Sequence, residues 1–322
     1  MIRLLLLSTT LLVALPCAVL AQCPNPVVAL IRERQLDDAR TQAKALLQKN
    51  ARDHAAHECL GRADAAQDRH RDAVNHFEQA IKIEANVASY HLWLGSSLGD
   101  LADSTSKIKL PFLARRLKGE FEKTVQLDPK SVDGHWGLMQ FYAQTPGVKG
   151  GNMDKAREQA REIMALSQLR GHLALADLAN REKKPAEFEK NQLEALKFAP
   201  DSAFVWYNLA GWYQNQQRWA DAFGIYDRML KQFPTEHIVH FQIGRTAALS
   251  GEQLERGERE LKWWMENAPK DFNKATWAGA HHRLGMVYEK QGRKELARTE
   301  YREALAIDPA NENAKKSLAA LK

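Results

Sequence analysis

The sequence has few of the features from which active sites are built. Only three of its 322 residues are cysteine, and it contains no C-x-x-C pair and no H-E-x-x-H zinc signature. It also lacks a glycine-rich phosphate loop that ends in Lys-Ser or Lys-Thr. Gly147, Gly150 and Gly151 lack that ending, and a tight turn between helices accounts for them. These absences predict a protein that is not an enzyme and holds no cofactor or metal.

Neither charge nor hydropathy indicates a nucleic-acid-binding or integral membrane protein. Lys+Arg number 46 and Asp+Glu 40, a net charge of +6 without a dense basic cluster. The long apolar run Leu4–Leu15 is too short for a comfortable membrane span, and it follows Arg3 and precedes small residues up to Ala21. This pattern predicts a signal peptide over residues 1–21 and export to the periplasm, with secretion or a lipid anchor on Cys23 as alternatives.

What the sequence does have is a repeated pattern of large and small apolar residues. Leu60-Gly61 recurs 34 residues later as Leu94-Gly95. The stretch Ala203–Pro234 reads as two short amphipathic helices joined by a turn, and Pro234 stops the second one. Isolated helices below roughly 12–15 residues are marginal in water, so such pairs are expected to stack on one another and bury a shared apolar stripe.

This pattern resembles the tetratricopeptide repeat family. That repeat has a large residue at position 4, Leu-Gly or Leu-Ala at 7 and 8, aromatics at 11 and 24, alanine at 20 and 27, and proline at 32. The resemblance implies an all-α fold, a right-handed α-solenoid of about eight helix pairs with a C-terminal capping helix. The matching residues are Trp206, Leu209, Ala210, Tyr213, Ala222, Tyr226, Met229 and Pro234 in one stretch, and His281, Leu284, Gly285, Tyr288, Ala297, Tyr301, Ala304 and Pro309 in another.

The repeat register assigns residues 22–322 to one solenoid. A first pair that matches the pattern poorly lies around 26–51. The repeat at about 88–131 carries an insert of roughly ten residues near 99–113, and the sequence leaves the role of this insert open. We predict repeats at about 54–87, 88–131, 132–168, 169–202, 203–236, 237–271 and 278–311, followed by a cap at 312–322.

Cys23 and Cys59 would both remain after removal of a signal peptide, in a compartment that permits disulfides. One interpretation is a bridge that ties the N-terminal segment to the first full repeat. The other is two unpaired thiols, with Cys59 acting as a small buried residue on a helix. The even number of cysteines is weak evidence and leaves both interpretations open.

Histidine occupies position 4 in six of the repeats. A ladder of metal ligands or pH sensors is one interpretation. However, neighbouring helices pack roughly 8–10 Å apart, whereas zinc ligands lie about 2.0–2.1 Å from one ion. We therefore predict that these residues fill space between helices. They are His57, His91, His135, His172, His240 and His281.

In this family the concave face is lined by first-helix positions 2, 5, 9, 12 and 13. Aromatic residues interleaved with Arg and Asn at such positions suit an extended peptide. The paired Lys and Asn with which chaperone-tail-binding members hold a C-terminal carboxylate are not reproduced. The resemblance implies a partner-binding groove formed by Trp136, Gln140, Arg170, Asp177, Arg181, Phe204, Tyr207, Gln214, Asn215, Phe241, Arg245 and His282.

These observations together predict a non-catalytic exported scaffold that binds protein or peptide partners in a groove. Nucleic acid is not among its expected ligands, and no integral membrane segment is expected after the signal. One alternative is a structural protein of the envelope that associates with itself. Another is an accessory subunit of an envelope enzyme that uses the segment Lys107–Lys118.

Overall fold

The computed structural model describes residues 23–102, 105–106, 109–145, 147, 150–270 and 272–321. These ranges form helices and turns, and they contain no β-strand. None of the helices they contain is long and apolar enough to span a membrane. The predicted signal peptide lies outside the described residues. The chain divides into two compact units, Met1–Ser167 and Gln168–Lys322.

The described residues of the first unit form four consecutive helix pairs. In each pair the two helices pack on each other, and from the second helix onward each helix also packs on the next one along the chain. Small buried residues such as Ala39, Ala63 and Ala73 allow this close stacking. The helices are α1 (Asn25–Arg32), α2 (Leu36–Lys49), α3 (His54–Ala65), α4 (His70–Ile83), α5 (Ala88–Asp100), α6 (Leu110–Leu127), α7 (Val132–Gln144) and α8 (Met153–Leu166).

The second unit contains four further pairs and one single helix. The single helix packs on the last pair and covers its apolar end with Leu318 and Leu321. The eight pairs and the terminal helix confirm the all-α stack of repeats with a cap. The helices are α9 (Gln168–Arg181), α10 (Pro185–Phe198), α11 (Ala203–Asn215), α12 (Trp219–Gln232), α13 (His237–Ser250), α14 (Leu254–Asn267), α15 (Lys274–Lys290), α16 (Lys294–Ile307) and α17 (Glu312–Ala320).

Short polar residues determine where several of these helices begin. In five of them the residue before the first turn accepts a hydrogen bond from a backbone N–H three residues later, at 2.9–3.1 Å. Each such cap stabilises its helix by about 0.5–2 kcal/mol. The capping residues are Asp53, Ser131, Asn152, Asn273 and Asn311.

The turn inside a pair places one residue in the left-handed region of backbone space. Arg34, Asp68, Lys183 and Gln217 do so in four pairs, with φ between 56° and 62°, and Gly292 does so in the eighth at 77°. This conformation costs roughly 1–2 kcal/mol for a residue with a Cβ and nothing comparable for glycine. The close packing of the pair offsets that cost in the four turns that lack glycine.

Glycine allows two helices of the second unit to touch their partners. A Cβ on Gly244 of α13 would lie 2.2 Å from Cγ of Leu261 on α14. A Cβ on Gly285 of α15 would lie 2.5 Å from Cε1 of Tyr301 on α16. Both partner side chains are fully buried. The repeat positions at which the pattern requires Gly or Ala are therefore the points of closest contact within a pair.

The insert near residues 99–113 lengthens α6 at its N-terminal end. Helix α6 has 18 residues, whereas the second helices of the other pairs have 14. Leu113, in the added turn, and Leu117, one turn further along, pack against the core around Phe77 and Leu98. Part of the insert is thus structural, and most of the segment 107–118 lies in this helix.

Cys23 and Cys59 form a disulfide in the structure, with their Cα atoms 5.2 Å apart. Both residues are buried, and they share a core with Val27 and Leu60. The backbone N–H of Cys23 also donates to the buried carboxylate of Glu58 at 3.1 Å. The structure therefore has the bridged arrangement, in which the start of the described chain is tied to α3.

Candidate functional site

Aromatic side chains line part of the face presented by the first helices of the second unit, α9, α11, α13 and α15. We call this the first-helix face. Phe204 on α11 exposes 66% of its surface, the largest value among the large apolar residues described in this unit. Tyr207 and Phe241 are half-buried. Phe241 lies against Trp264, with ring centroids 5.3 Å apart, and beside Gly279, which has no side chain to cover it.

The predicted residues of α9 carry charges that pair with each other. Arg181 donates through Nε to the carboxylate of Asp177 at 2.9 Å, one helical turn away. Arg170 is half-buried at the start of the same helix. Arg181 and Asp177 therefore neutralise each other on this part of the first-helix face.

Gln214 differs from the expectation that it would contact a ligand, because it is only 5% exposed. Its Nε2 donates to Oγ1 of Thr246 on α13 at 2.6 Å, and its Oε1 accepts from Nη1 of Arg245 at 2.7 Å. The side chain joins two helices and leaves no free surface. The next residue, Asn215, is exposed at the end of α11 and remains available for contact.

His282 also differs from the expectation, since it is 6% exposed. Its Nε2 lies 3.0 Å from Oγ of Ser317 on α17, so the C-terminal helix covers it. Neighbouring Arg283 and Arg245 are both half-buried. Burial and then the positive charge of Arg245 lower the pKa of Arg283 from its ordinary value. Two guanidinium groups thus lie close together on this part of the first-helix face.

Trp136 and Gln140 lie in the first unit, on α7. Both line a cavity of about 590 Å³ between α5, the N-terminal part of α6, and α7. Its walls are largely apolar and include Gly95, Gly99 and Gly137. A volume of this size is within the range of roughly 300–1,000 Å³ found for ligand pockets. The insert therefore contributes one wall of this cavity.

The position-4 histidines bond to polar groups within their own helix pair. Each contacts a polar side chain of the second helix, and the described residues contain no cluster of three groups that could hold a metal ion. The prediction from the sequence that these histidines fill space between helices did not include these hydrogen bonds. The pairs are His57–His76, His91–Glu120, His135–Gln159, His172–Asn191, His240–Glu260 and His281–Glu300, at 2.5–3.3 Å.

One stretch, Gly95–Gly99, has the letters of the G-x-S-x-G motif of serine hydrolases. That motif needs a serine exposed on a sharp turn between a strand and a helix. Ser97 instead lies inside α5 and is 1% exposed. The match is a coincidence of helical packing residues.

Two stretches of the second unit match models of known protein families. Residues 204–235 and 278–311 each match a model described as tetratricopeptide repeat. They are the two stretches whose helix pairs, α11–α12 and α15–α16, carry the clearest sequence pattern. The chain is a tetratricopeptide repeat protein.

Solved structures with the same fold share little sequence with this tetratricopeptide repeat protein. TTC0263, a thermophilic protein of this type from Thermus thermophilus, is 18% identical with a TM-score of 0.51, over 58% of this chain and 94% of its own. A chain of the APC/C hetero-tetramer Cut9-Hcn1 is 13% identical with a TM-score of 0.52, over 92% of this chain and 48% of its own. No curated protein matches significantly. These likenesses concern the fold alone.

Two features of this tetratricopeptide repeat protein were missed from the sequence. Arg283 stands one residue after a position that the family pattern assigns to the groove, so the pattern passed over it. The cavity beside Trp136 depends on the path of the insert, which no repeat position describes. An arginine next to a groove position is the one signal that the sequence offers for this site.

Buried His282 is expected to make the tetratricopeptide repeat protein less stable in acid. Burial, and then the charge of Arg283, lower its pKa from 6.5 to about 4. As the pH falls, His282 is protonated in the unfolded chain before it is protonated in the folded chain. Its contribution to the free energy of unfolding is therefore fully present above pH 6.5 and is lost as the pH falls toward 4. Between pH 7 and pH 4.5 the loss should be about 2–3 kcal/mol at ~1.4 kcal/mol per unit of pKa.

Urea unfolding of the wild type and of His282→Gln at both pH values measures this loss. The variant should lose about 2–3 kcal/mol less than the wild type over the same interval, since glutamine does not titrate. Equal losses in the two proteins would show that His282 does not carry the acid sensitivity.

Proposed function

We propose that this protein is an exported, non-catalytic scaffold that binds an extended segment of a partner protein on its first-helix face. The observation that carries the proposal is the exposure of Phe204 on α11, a helix that also carries the half-buried ring of Tyr207, with the half-buried Phe241 on the next first helix, α13. Exposed aromatic surface is costly in water and commonly marks a site of protein interaction. An extended segment would bury its apolar side chains on these rings.

Polar groups between the rings supply the remaining contacts of the proposed site. Asn215 presents an amide at the end of α11, and Arg245 presents guanidinium N–H groups on α13. Such donors suit the backbone carbonyls and carboxylates of an extended peptide. Gln214 accepts a hydrogen bond from Arg245 and is itself fixed by its hydrogen bond to Thr246. The guanidinium is therefore positioned before a partner arrives.

Export is supported by two independent features. The first is the apolar N-terminal run Leu4–Leu15 with small residues after it. The second is the bond between Cys23 and Cys59, because disulfides persist mainly in oxidising compartments outside the cytoplasm. Both features favour the periplasm or the cell exterior as the place where the partner is met.

Site-specific photo-crosslinking tests the binding face. A photoreactive phenylalanine analogue replaces Phe204 in one variant and Leu296, an exposed apolar residue of α16, in the control. We expect a defined protein adduct from position 204 and none from position 296. The adduct partner, once purified, should bind Phe204→Ala at least about tenfold more weakly, since burial of a large apolar side chain is worth about 1.5–3 kcal/mol. Binding should be unchanged in Leu296→Ala.

Two results would contradict the proposed function. Equal affinity of the partner for Phe204→Ala and the wild type would remove the first-helix face from the interaction. An adduct that consists only of a second copy of this chain, together with a dimer in light scattering, would indicate a self-associating structural protein instead.

A further inference from the structure

Within the part of the chain that the structure describes, Arg283 is a half-buried cation without an anionic partner. Its one described hydrogen bond runs from Nη1 to Sδ of Met286 at 3.2 Å, a weak acceptor. Among the described residues, no carboxylate lies within ion-pairing distance of its guanidinium. A partly buried charge is costly unless it is paired, so this group is poised for an anion that is not part of the folded chain.

Arg245 lies on α13, which packs against the α15 helix of Arg283, and its guanidinium is near enough to that of Arg283 to repel it. Its Nη1 donates to Oε1 of Gln214 at 2.7 Å and to Oε1 of Gln242 at 3.3 Å, both neutral acceptors. Within the described residues it has no carboxylate partner either. The two like charges repel each other, and the lowered pKa of Arg283 reflects both its burial and this proximity. Folding brings the two cations together without compensating them.

Three other half-buried arginines of the second unit have carboxylate partners. Arg218 pairs with Glu189 and Asp221, and Arg298 pairs with Glu295. Arg256 pairs with Asp227 and Glu260. Arg245 and Arg283 differ from these three, and both lie on first helices, α13 and α15.

The neighbouring side chains Gln214 and Thr246 determine how the guanidinium of Arg245 is oriented. The hydroxyl of Thr246 donates to the backbone carbonyl of Gln242 at 2.7 Å and accepts from Gln214 at 2.6 Å. This leaves the carbonyl oxygen of Gln214 directed at Arg245. A guanidinium has five N–H donors, so most donors of both arginines remain available. Phe241 and Gly279 stand one helical turn before the two arginines on the same two helices, and a Cβ on Gly279 would lie 4.0 Å from Cζ of Phe241.

We propose that Arg245 and Arg283 form a seat for a side-chain carboxylate of the bound segment, so that the ligand is an acidic peptide with apolar residues beside its Asp or Glu. This inference rests on the proposed function and specifies the chemistry of its ligand. A planar carboxylate accepts two parallel N–H groups from one guanidinium and neutralises both cations. The rings of Phe204, Tyr207 and Phe241 take the adjacent apolar side chains.

Fluorescence polarisation with a synthetic peptide pair tests the seat. The first probe is fluorescein-labelled Gly-Phe-Glu-Leu-Glu-Phe-Gly amide, and the second has both glutamates replaced by glutamine. Because both C-termini are amidated, the comparison reports side-chain carboxylates only. We expect the wild type to bind the glutamate peptide about tenfold to a hundredfold more tightly, as charge-assisted hydrogen bonds usually give.

Matched variants locate the effect. Arg283→Gln and Arg245→Gln should each reduce the preference for the glutamate peptide to less than about threefold. Arg298→Gln removes the same charge from the opposite helix of a pair and should leave the preference unchanged. Helical circular dichroism identifies any variant that has failed to fold, and the other arginine variant then provides the measurement.

The remaining outcomes overturn the seat in distinguishable ways. Equal binding of both peptides, weakened by Phe204→Ala, would refute the carboxylate seat and leave the proposed binding face standing. Binding of neither peptide would refute the stated ligand class, and crosslinking at position 204 would still report on the face. An equal loss of the preference for the glutamate peptide in Arg283→Gln and Arg298→Gln would show that the preference depends only on the net charge of the protein. Tighter binding of a peptide with phosphoserine in place of glutamate would show that Arg245 and Arg283 form a phosphate site instead of a carboxylate site.

Discussion

Removal of the Cys23–Cys59 bridge is expected to lower the free energy of unfolding of the first unit by about 3–4 kcal/mol. The bridge joins residues 36 positions apart, and closing a loop of that length restricts the unfolded chain by an entropy worth about that much. The short helix α1 should respond most, because the bridge and the core shared with Val27 tie it to α3.

The variant Cys23→Ala with Cys59→Ala measures this contribution. Alanine is chosen because both sites are buried and a hydroxyl there would add a separate cost. Urea unfolding gives the free energy, and hydrogen exchange of α1 to α3 locates the change. Reduction of the wild type with dithiothreitol should reproduce the loss, whereas no change on reduction would mean that the bridge does not stabilise the fold.

Replacement of Gly244 by alanine is expected to destabilise the second unit by about 3 kcal/mol, although alanine is the better helix former. The added Cβ would lie 2.2 Å from Cγ of Leu261, which is fully buried and has no room to withdraw. Overpacking of a dense core typically costs about 1–3 kcal/mol, and so close an approach belongs at the upper end.

Gly211→Ala is the matched control, and its effect should have the opposite sign. Gly211 lies in α11, and a Cβ there would meet no atom within 4 Å. The substitution should therefore stabilise by about 0.5–1 kcal/mol through helix propensity and a less flexible unfolded chain. Chemical unfolding of both variants decides the matter. Equal effects would show that the contact with Leu261 is not the reason for glycine at position 244.

The fold could be predicted because its causes are local and repeated. A spacing of 34 residues, small residues at the contact points and proline after the second helix all report packing within one pair. Such information survives in a single sequence, since each pair meets only its neighbours. The sequence could not show that the insert lengthens α6, because the insert has no counterpart in other repeats.

The candidate site was only partly predictable, for a related reason. Repeat register assigned Phe204 and Arg245 to one face, and the structure places them on α11 and α13, the first helices of consecutive pairs. It could not show that Gln214 is held by Thr246 or that α17 covers His282, because these contacts join different pairs. Arg283 was missed because its role depends on the absence of a neighbouring carboxylate.

The hydrogen bond inside each helix pair has a consequence for how such a chain evolves. His240 bonds to Glu260 and His281 to Glu300, so both members of each bond belong to the same pair. In the sixth pair Trp206 replaces histidine, and its Nε1 donates to the carbonyl of Pro200 instead, as the second nitrogen of His135 does to Pro129. A gene segment that encodes one pair can therefore be duplicated or deleted without separating a histidine from its second-helix partner.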